Sequence, residues 1–230
     1  MRELVKEFVR IVSEIIPIKE PIVEFGSLQV QGQEGYADLR PFFQGKKYIG
    51  ADIQQGPGVD CILNLHEIDL PSESVGTVLI METLEHVEFP RKAILEINRI
   101  LKPDGVLVIS SVMNFPIHNY PHDYWRFTPQ GFKSLLQIFP CFIVDFAGNE
   151  KFPHTIIGVG LKGTIKADLM EMLLNRIEIW KEHWNEGQVK YSRWKRLITF
   201  FVPPIVLKSY GALRYKIHIT RSCVRSKEKE

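Results

Sequence analysis

The pattern of the chain predicts an α/β fold, a doubly wound sheet followed by a helical C-terminal extension. Three observations carry this. Short apolar runs alternate with segments of helical period between Ile22 and Leu161. The run from Val78 to Ser110, VLIMETLEHVEFPRKAILEINRILKPDGVLVIS, reads in order as a buried strand, a polar turn, an amphipathic helix, a Pro-Asp-Gly turn and a second buried strand. After Gly163 the pattern changes to a single long helical face and then a basic, aromatic-rich tail.

Leu4, Val5, Phe8, Val9, Val12, Ile15 and Ile16 recur at helical spacing, so residues 2–16 form an amphipathic helix that Pro17 and Pro21 stop. Residues 22–25 are a short buried strand ending at Gly26-Ser27, and a Gln/Gly-rich loop (28–35) leads to a short helix over 36–43. Residues 47–52 form the second strand, QQGPG (54–58) a turn, and 59–63 the third strand. Residues 75–81 are the fourth strand. A helix over 90–101 follows, with Pro at its start and Gly105 past its end. Residues 106–110 are a nearly continuous apolar strand of the kind covered on both faces. Thr128-Pro129 is an N-cap and first-turn pair for a helix over 128–139, and 141–147 and 154–161 form an antiparallel edge pair. Ile165, Leu169, Leu173, Ile177, Trp180 and Trp184 line one face of a last helix, expected to end at Gly187. The division is thus a ligand-binding domain over residues 1–162 and an extension over 163–230.

Composition narrows the class. Hydrophobic residues at 45% and charged residues at 24% suit a globular protein with a real core. Residues 181–230 hold 12 Lys+Arg against 4 Asp+Glu, net +8, and residues 1–180 hold 17 against 23, net −6. The acidic body argues against nucleic acid as a partner, and the basic tail with its Trp, Phe and Tyr suits peripheral contact with a membrane surface. Packing of the tail on the domain or in a homodimer is the plainer expectation for it. Cys61, Cys141 and Cys223 form no CxxC pair, which argues against zinc and disulfides and fits a reducing, cytoplasmic setting. Arg2, Glu3, Lys6 and Glu7 interrupt any signal-peptide pattern, and LITFFVPPIVL (197–207) is too short, and too rich in Pro, to span a bilayer.

Doubly wound sheets bind ligands beyond the C-terminal ends of their strands, which makes the strand-end residues the candidates. Glu24, Gly26 and Ser27 close the first strand, where a glycine lets backbone approach a ligand. Asp52, with Ile53 after it, closes the second strand 26 residues beyond Gly26, and its carboxylate suits a ribose diol. Asn64 and Leu65 follow the third strand and offer an amide and an N–H to a base edge. Met81, Glu82, Glu85 and His86 follow the fourth. His86 is a candidate base or a loop-orienting group. The carboxylates there lack a second ligand cluster, so no metal is expected. HNYPHDYWRFTPQG (118–131) overhangs the same place. Its His118, His122 and Asp123 are candidate bases, and Tyr124, Trp125 and Arg126 candidate acceptor contacts. Its other reading is a folded lid in which Arg126 pairs with Asp123.

These residues resemble the class I S-adenosylmethionine-dependent methyltransferases of the small-molecule type. VEFGS is similar to their first glycine motif, IGAD to their ribose motif, and the Val78–Ser110 run to their LEHV…LKPGG signature. The PHDYWRFTP segment looks like a subgroup found with glycan-biosynthesis proteins. The resemblance spans about residues 20–162. It implies a Rossmann-like seven-stranded sheet with its last strand antiparallel, S-adenosyl-L-methionine as cofactor, methyl transfer to a small or glycan-type acceptor, and an acceptor site bordered by residues 118–131. This chain departs from the pattern at Leu28 (no middle Gly), at Gly76 (an acidic residue is usual), at Asn64 (often Asp) and at Asp104 (usually Gly). A non-catalytic nucleoside-binding scaffold of the same fold and a nicotinamide-dependent oxidoreductase are the competing readings. The missing G-x-G-x-x-G stands against the latter.

Overall fold

The structure is a computed structural model that describes residues 2–30, 32, 34–118 and 121–201, with side chains described as far as Asn185. In chain order it contains α1 (Glu3–Ile15), β1 (Ile22–Phe25), β2 (Tyr48–Asp52), β3 (Cys61–Ile62), β4 (Val75–Met81), α2 (Pro90–Ile100), β5 (Leu101–Val112), α3 (Pro129–Leu136), β6 (Cys141–Asn149), β7 (Phe152–Leu161) and α4 (Ala167–Phe201). Two 3₁₀ turns, Arg40–Phe43 and Leu84–His86, lie between strands.

The strands form one seven-stranded sheet in the order β3-β2-β1-β4-β5-β7-β6. β1 to β5 pair in parallel, and β7 inserts antiparallel between β5 and β6. This is the Rossmann-like sheet with the antiparallel last strand. Every residue of the central β4 is buried, because helices cover both faces of the sheet. α2 and α3 bring Ile94, Ile97, Phe132 and Leu136 to one face. α1 and the first part of α4 bring Phe8, Val12, Ile177 and Trp180 to the other. Trp180 donates from Nε1 to the carbonyl of Leu4 at 2.9 Å, and Trp184 from Nε1 to Glu7 at 2.7 Å. The compact unit accordingly spans Met1–Asn185, taking in residues 163–185 with the expected 1–162.

Several elements differ from the sequence expectation. The helix expected over 36–43 is only the turn Arg40–Phe43, since Pro41 has no N–H to continue a helix begun at Tyr36. The third strand shrinks to two residues at the sheet edge. α3 stops at Leu136, although its start is as expected, with Thr128 Oγ1 accepting from the Gly131 N–H at 3.0 Å. α4 runs through Gly187 to Phe201, as one interior glycine costs a helix only about 1 kcal/mol. Cys61 and Cys141, apart from these differences, are half-buried and packed against the two cores.

Two departures from the family pattern have packing reasons. A Cβ at Gly76 would lie 2.5 Å from the Lys19 carbonyl carbon, so the close approach of the Lys19 backbone excludes a side chain there. Asp104 pairs with Lys19 Nζ at 2.9 Å. Among the described residues, no helix is long and apolar enough to cross a membrane. The side chains of the basic tail from residue 186, its expected membrane contact and Cys223 lie outside the described residues.

Candidate active site

A cavity of about 570 Å³ opens at the C-terminal ends of β1 to β5. Glu24, Gly26, Ser27, Asp52, Ile53, Asn64, Leu65, Met81, Glu82 and His86 all line it, as do His118, His122 and Tyr124. Asp123, Trp125 and Arg126 do not.

The β1 end is built for close approach. Gly26 has φ +81°, and a Cβ there would meet Thr83 Oγ1 at 2.0 Å, so both backbone and space require glycine. Ser27 donates its hydroxyl to the Ala51 carbonyl at 3.2 Å. Asp52 holds the β2 end open by accepting from the Leu28 N–H at 3.3 Å and the Gln54 N–H at 3.0 Å. Asn64 Oδ1 accepts from the His66 N–H at 2.9 Å, a turn that presents Asn64 and Leu65 to the cavity. Glu24 is buried beneath this floor, and the Tyr48 hydroxyl donates to it at 2.6 Å. Burial pushes the Glu24 carboxyl up to about 7, and burial together with the Glu24 carboxylate pushes the Tyr48 phenol up. The cradle at Gly26, the carboxylate at Asp52 and the cavity volume fit a nucleoside-containing ligand.

Glu82, just past β4, has φ +50°, a left-handed conformation rare outside glycine and often found at functional sites. It is held by Arg2, which donates its backbone N–H at 3.0 Å and its Nε–H at 2.6 Å. The Arg2 guanidinium also reaches His154 Nδ1 at 3.4 Å and lies 5.4 Å from the centre of the Phe115 ring. Burial, then the Arg2 charge, pushes His154 down to about 4. Sequence reading had no signal for Arg2, which meets Glu82 across 80 residues.

Glu85 is the second residue whose importance the sequence understated. It is fully buried, and Ser111 donates its hydroxyl to Oε2 at 2.6 Å, while Oε1 is buried without a hydrogen-bond partner. Burial pushes its carboxyl up to about 7. Its backbone carbonyl accepts from the N–H groups of Tyr124 at 2.9 Å and Trp125 at 3.1 Å, which docks these two residues just past the β4 end. His86 makes the second tie, donating from Nδ1 to the His122 carbonyl. Burial pushes His86 down.

Three expected roles change within that segment. The Asp123 side chain is buried, both its oxygens are taken by Arg126 at 2.5 and 2.7 Å, and it accepts the His118 N–H at 2.7 Å. The Arg126 guanidinium hydrogen-bonded to it holds its carboxyl well below the usual range, so it is an anchor and a poor proton acceptor. Arg126 spends its remaining donors on the carbonyls of Phe115, Pro116 and Trp125, leaving no fork for an acceptor. Trp125 turns away from the cavity and donates Nε1–H to the carbonyls of Val87 and Glu88 at 3.0 and 3.2 Å. The lid reading, with Arg126 paired to Asp123, is the one the structure adopts. Asn119 and Tyr120 lie outside the described residues.

Comparison with known proteins agrees with this geometry. Residues 43–109 match the family model described as a methyltransferase domain. The fold is similar to that of a SAM-dependent methyltransferase from Archaeoglobus fulgidus, at TM-score 0.53 and 16% identity over 70% of this chain and 94% of that one. It is similar to 1,6-didemethyltoxoflavin-N1-methyltransferase from Burkholderia thailandensis, determined with 1,6-didemethyltoxoflavin and S-adenosylhomocysteine, at TM-score 0.53 and 16% identity over 70% and 79% of the two chains. At such identities the likeness is one of fold. No curated protein sequence matches the chain. The family-model match falls on β2 to β5, the strands whose ends form the cavity floor, and the sheet order with the inserted antiparallel β7 is that of the Rossmann-like methyltransferase fold.

Proposed function

We propose that the chain transfers a methyl group from S-adenosyl-L-methionine to a small or glycan-type acceptor held beneath the 115–124 segment. The observation that carries this reading is the single cavity shared by the strand-end residues of β1 to β4 and by His118, His122 and Tyr124. When bound, the cofactor supplies an electrophilic methyl on a sulfonium, so the protein's work is alignment and proton removal.

Asp52 accepts from the ribose hydroxyls, and Gly26 and Ser27 let the chain pass close to the ligand. Asn64 and the Leu65 N–H read the base edge. Met81, Glu82 and His86 wall the cavity toward the acceptor. His122, with a ring that lies 5.6 Å from that of Tyr124, takes the proton from an acceptor hydroxyl. Exposed aromatic surface on Phe115 and Tyr124 at the mouth suits the flat face of a sugar.

Calorimetry of the full chain with S-adenosyl-L-methionine tests the reading. One site per chain is expected, weakened about tenfold or more in Asp52→Ala, since two charge-assisted hydrogen bonds are lost. No heat at near-millimolar cofactor overturns it. Transfer of labelled methyl to a panel of sugars and glycans then identifies the acceptor, with turnover falling about 10²-fold or more in His122→Ala.

A further inference from the structure

We propose that Glu85, His86 and His118 form a binding site for a divalent first-row transition-metal cation on the acceptor side of the cavity. Ligand atoms offered by these three residues lie within 4.8 Å of one another, and all three residues line the cavity. Two imidazoles and one carboxylate are the donor set that such cations take while keeping positions open for other ligands.

The hydrogen bonding argues that the cluster is more than proximity. His86 Nδ1 faces the His122 carbonyl, which can only accept, so Nδ1 carries the proton and Nε2 the lone pair. His118 Nδ1 faces the Pro116 carbonyl at 3.1 Å and the Asp123 carboxylate at 3.3 Å, again acceptors, with the same consequence for its Nε2. One Glu85 oxygen takes the Ser111 hydroxyl and the other is buried without a partner, an arrangement unfavourable for a carboxylate unless something positive completes it. Each residue therefore has one end fixed by a neighbour and one end free to ligate, which is how outer partners orient metal ligands. The two rings are held edge to face with centroids 4.8 Å apart.

This replaces the sequence-based expectation of no metal, which weighed the carboxylates near Glu82 without counting His118, expected over the same pocket, as a ligand beside them. The site stands on these contacts alone. Its use rests on the methyltransferase reading: a cation there would bind an acceptor oxygen and stabilise its deprotonated form.

The test is titration of chelator-stripped full-length protein with Co²⁺, without cofactor or acceptor, followed by visible absorption and calorimetry. One Co²⁺ per chain is expected, with ligand-field bands. Glu85→Gln and His118→Ala should each weaken it at least tenfold, and His66→Ala, in the same cavity but outside the cluster, should leave it unchanged. The His118 ring is half-exposed, so that variant keeps the test valid even where circular dichroism shows Glu85→Gln unfolded. No binding of Co²⁺, Mn²⁺ or Zn²⁺ up to millimolar, or equal affinity in wild type and His118→Ala, overturns the site. Failure to bind S-adenosyl-L-methionine would instead sink the methyltransferase reading and leave the cation site standing.

Discussion

Arg126 grips Asp123 in a two-pronged ion pair, Nη1 to Oδ1 at 2.5 Å and Nη2 to Oδ2 at 2.7 Å, with the carboxylate buried and the guanidinium partly so. With the His118 N–H donating to Asp123 and Arg126 donating to the Phe115 and Pro116 carbonyls, the pair ties residues 115–118 to residues 123–126. Asp123→Asn leaves a guanidinium without its counter-charge and should cost about 2–4 kcal/mol in urea unfolding. Arg126→Lys should recover little of this, because an ammonium cannot make the fork. An Asp123→Asn protein of wild-type stability would refute the anchor.

Glu24 predicts a pH dependence. Its folded carboxyl is raised from 4.5 to about 7 by burial, so between those values the folded chain holds a proton that the unfolded chain has released. Stability from this group is greatest below pH 4.5 and falls as pH rises toward 7, by about 3 kcal/mol at most. Glu24→Gln, which keeps an acceptor for the Tyr48 hydroxyl, should lose that slope. Unfolding curves of the two proteins at pH 5 and pH 8 check it; parallel pH profiles would be the contrary outcome.

Gly76→Asp brings in the acidic residue usual in the family that the sequence resembles, and it should destabilise. The new Cβ would meet Lys19 backbone atoms at 2.5 to 2.6 Å, and backbone yields less readily than a side chain. A loss of about 1–3 kcal/mol is expected in thermal or urea unfolding. A neutral or stabilising effect would show that the Lys19 segment moves freely.

Trp180→Ala should cost about 3–5 kcal/mol, since a fully buried indole and its hydrogen bond to the Leu4 carbonyl disappear together. Denaturant midpoints measure this. A loss under 1 kcal/mol would mean that residues 163–185 are not integral to the domain.

The strands at Ile22–Phe25 and Val75–Met81 were readable to the residue, because a short apolar run bounded by Pro, Gly or charge leaves few alternatives. Asp52, Gly26 and Asn64 were readable as cavity residues for a related reason: in a parallel sheet, a residue just past a strand has only one place to be. The span from Tyr36 to Phe43, expected as a short helix, is only the turn Arg40–Phe43, where Pro41 lacks the N–H that a longer helix needs.

Local pattern thus sufficed for the sheet, its helices and the floor of the cavity, as periodicity and turn chemistry act over a few residues. The roles of the charged groups were settled by folding alone. Ser111 reaches Glu85 across 26 residues and Arg2 reaches Glu82 across 80, distances in sequence that only the strand order closes. Whether a carboxylate serves as anchor, buried acid or ligand depends on which donors surround it and how much water they exclude. For Asp123 the surroundings are a guanidinium and a backbone N–H; for Glu85 they are one hydroxyl and two imidazoles.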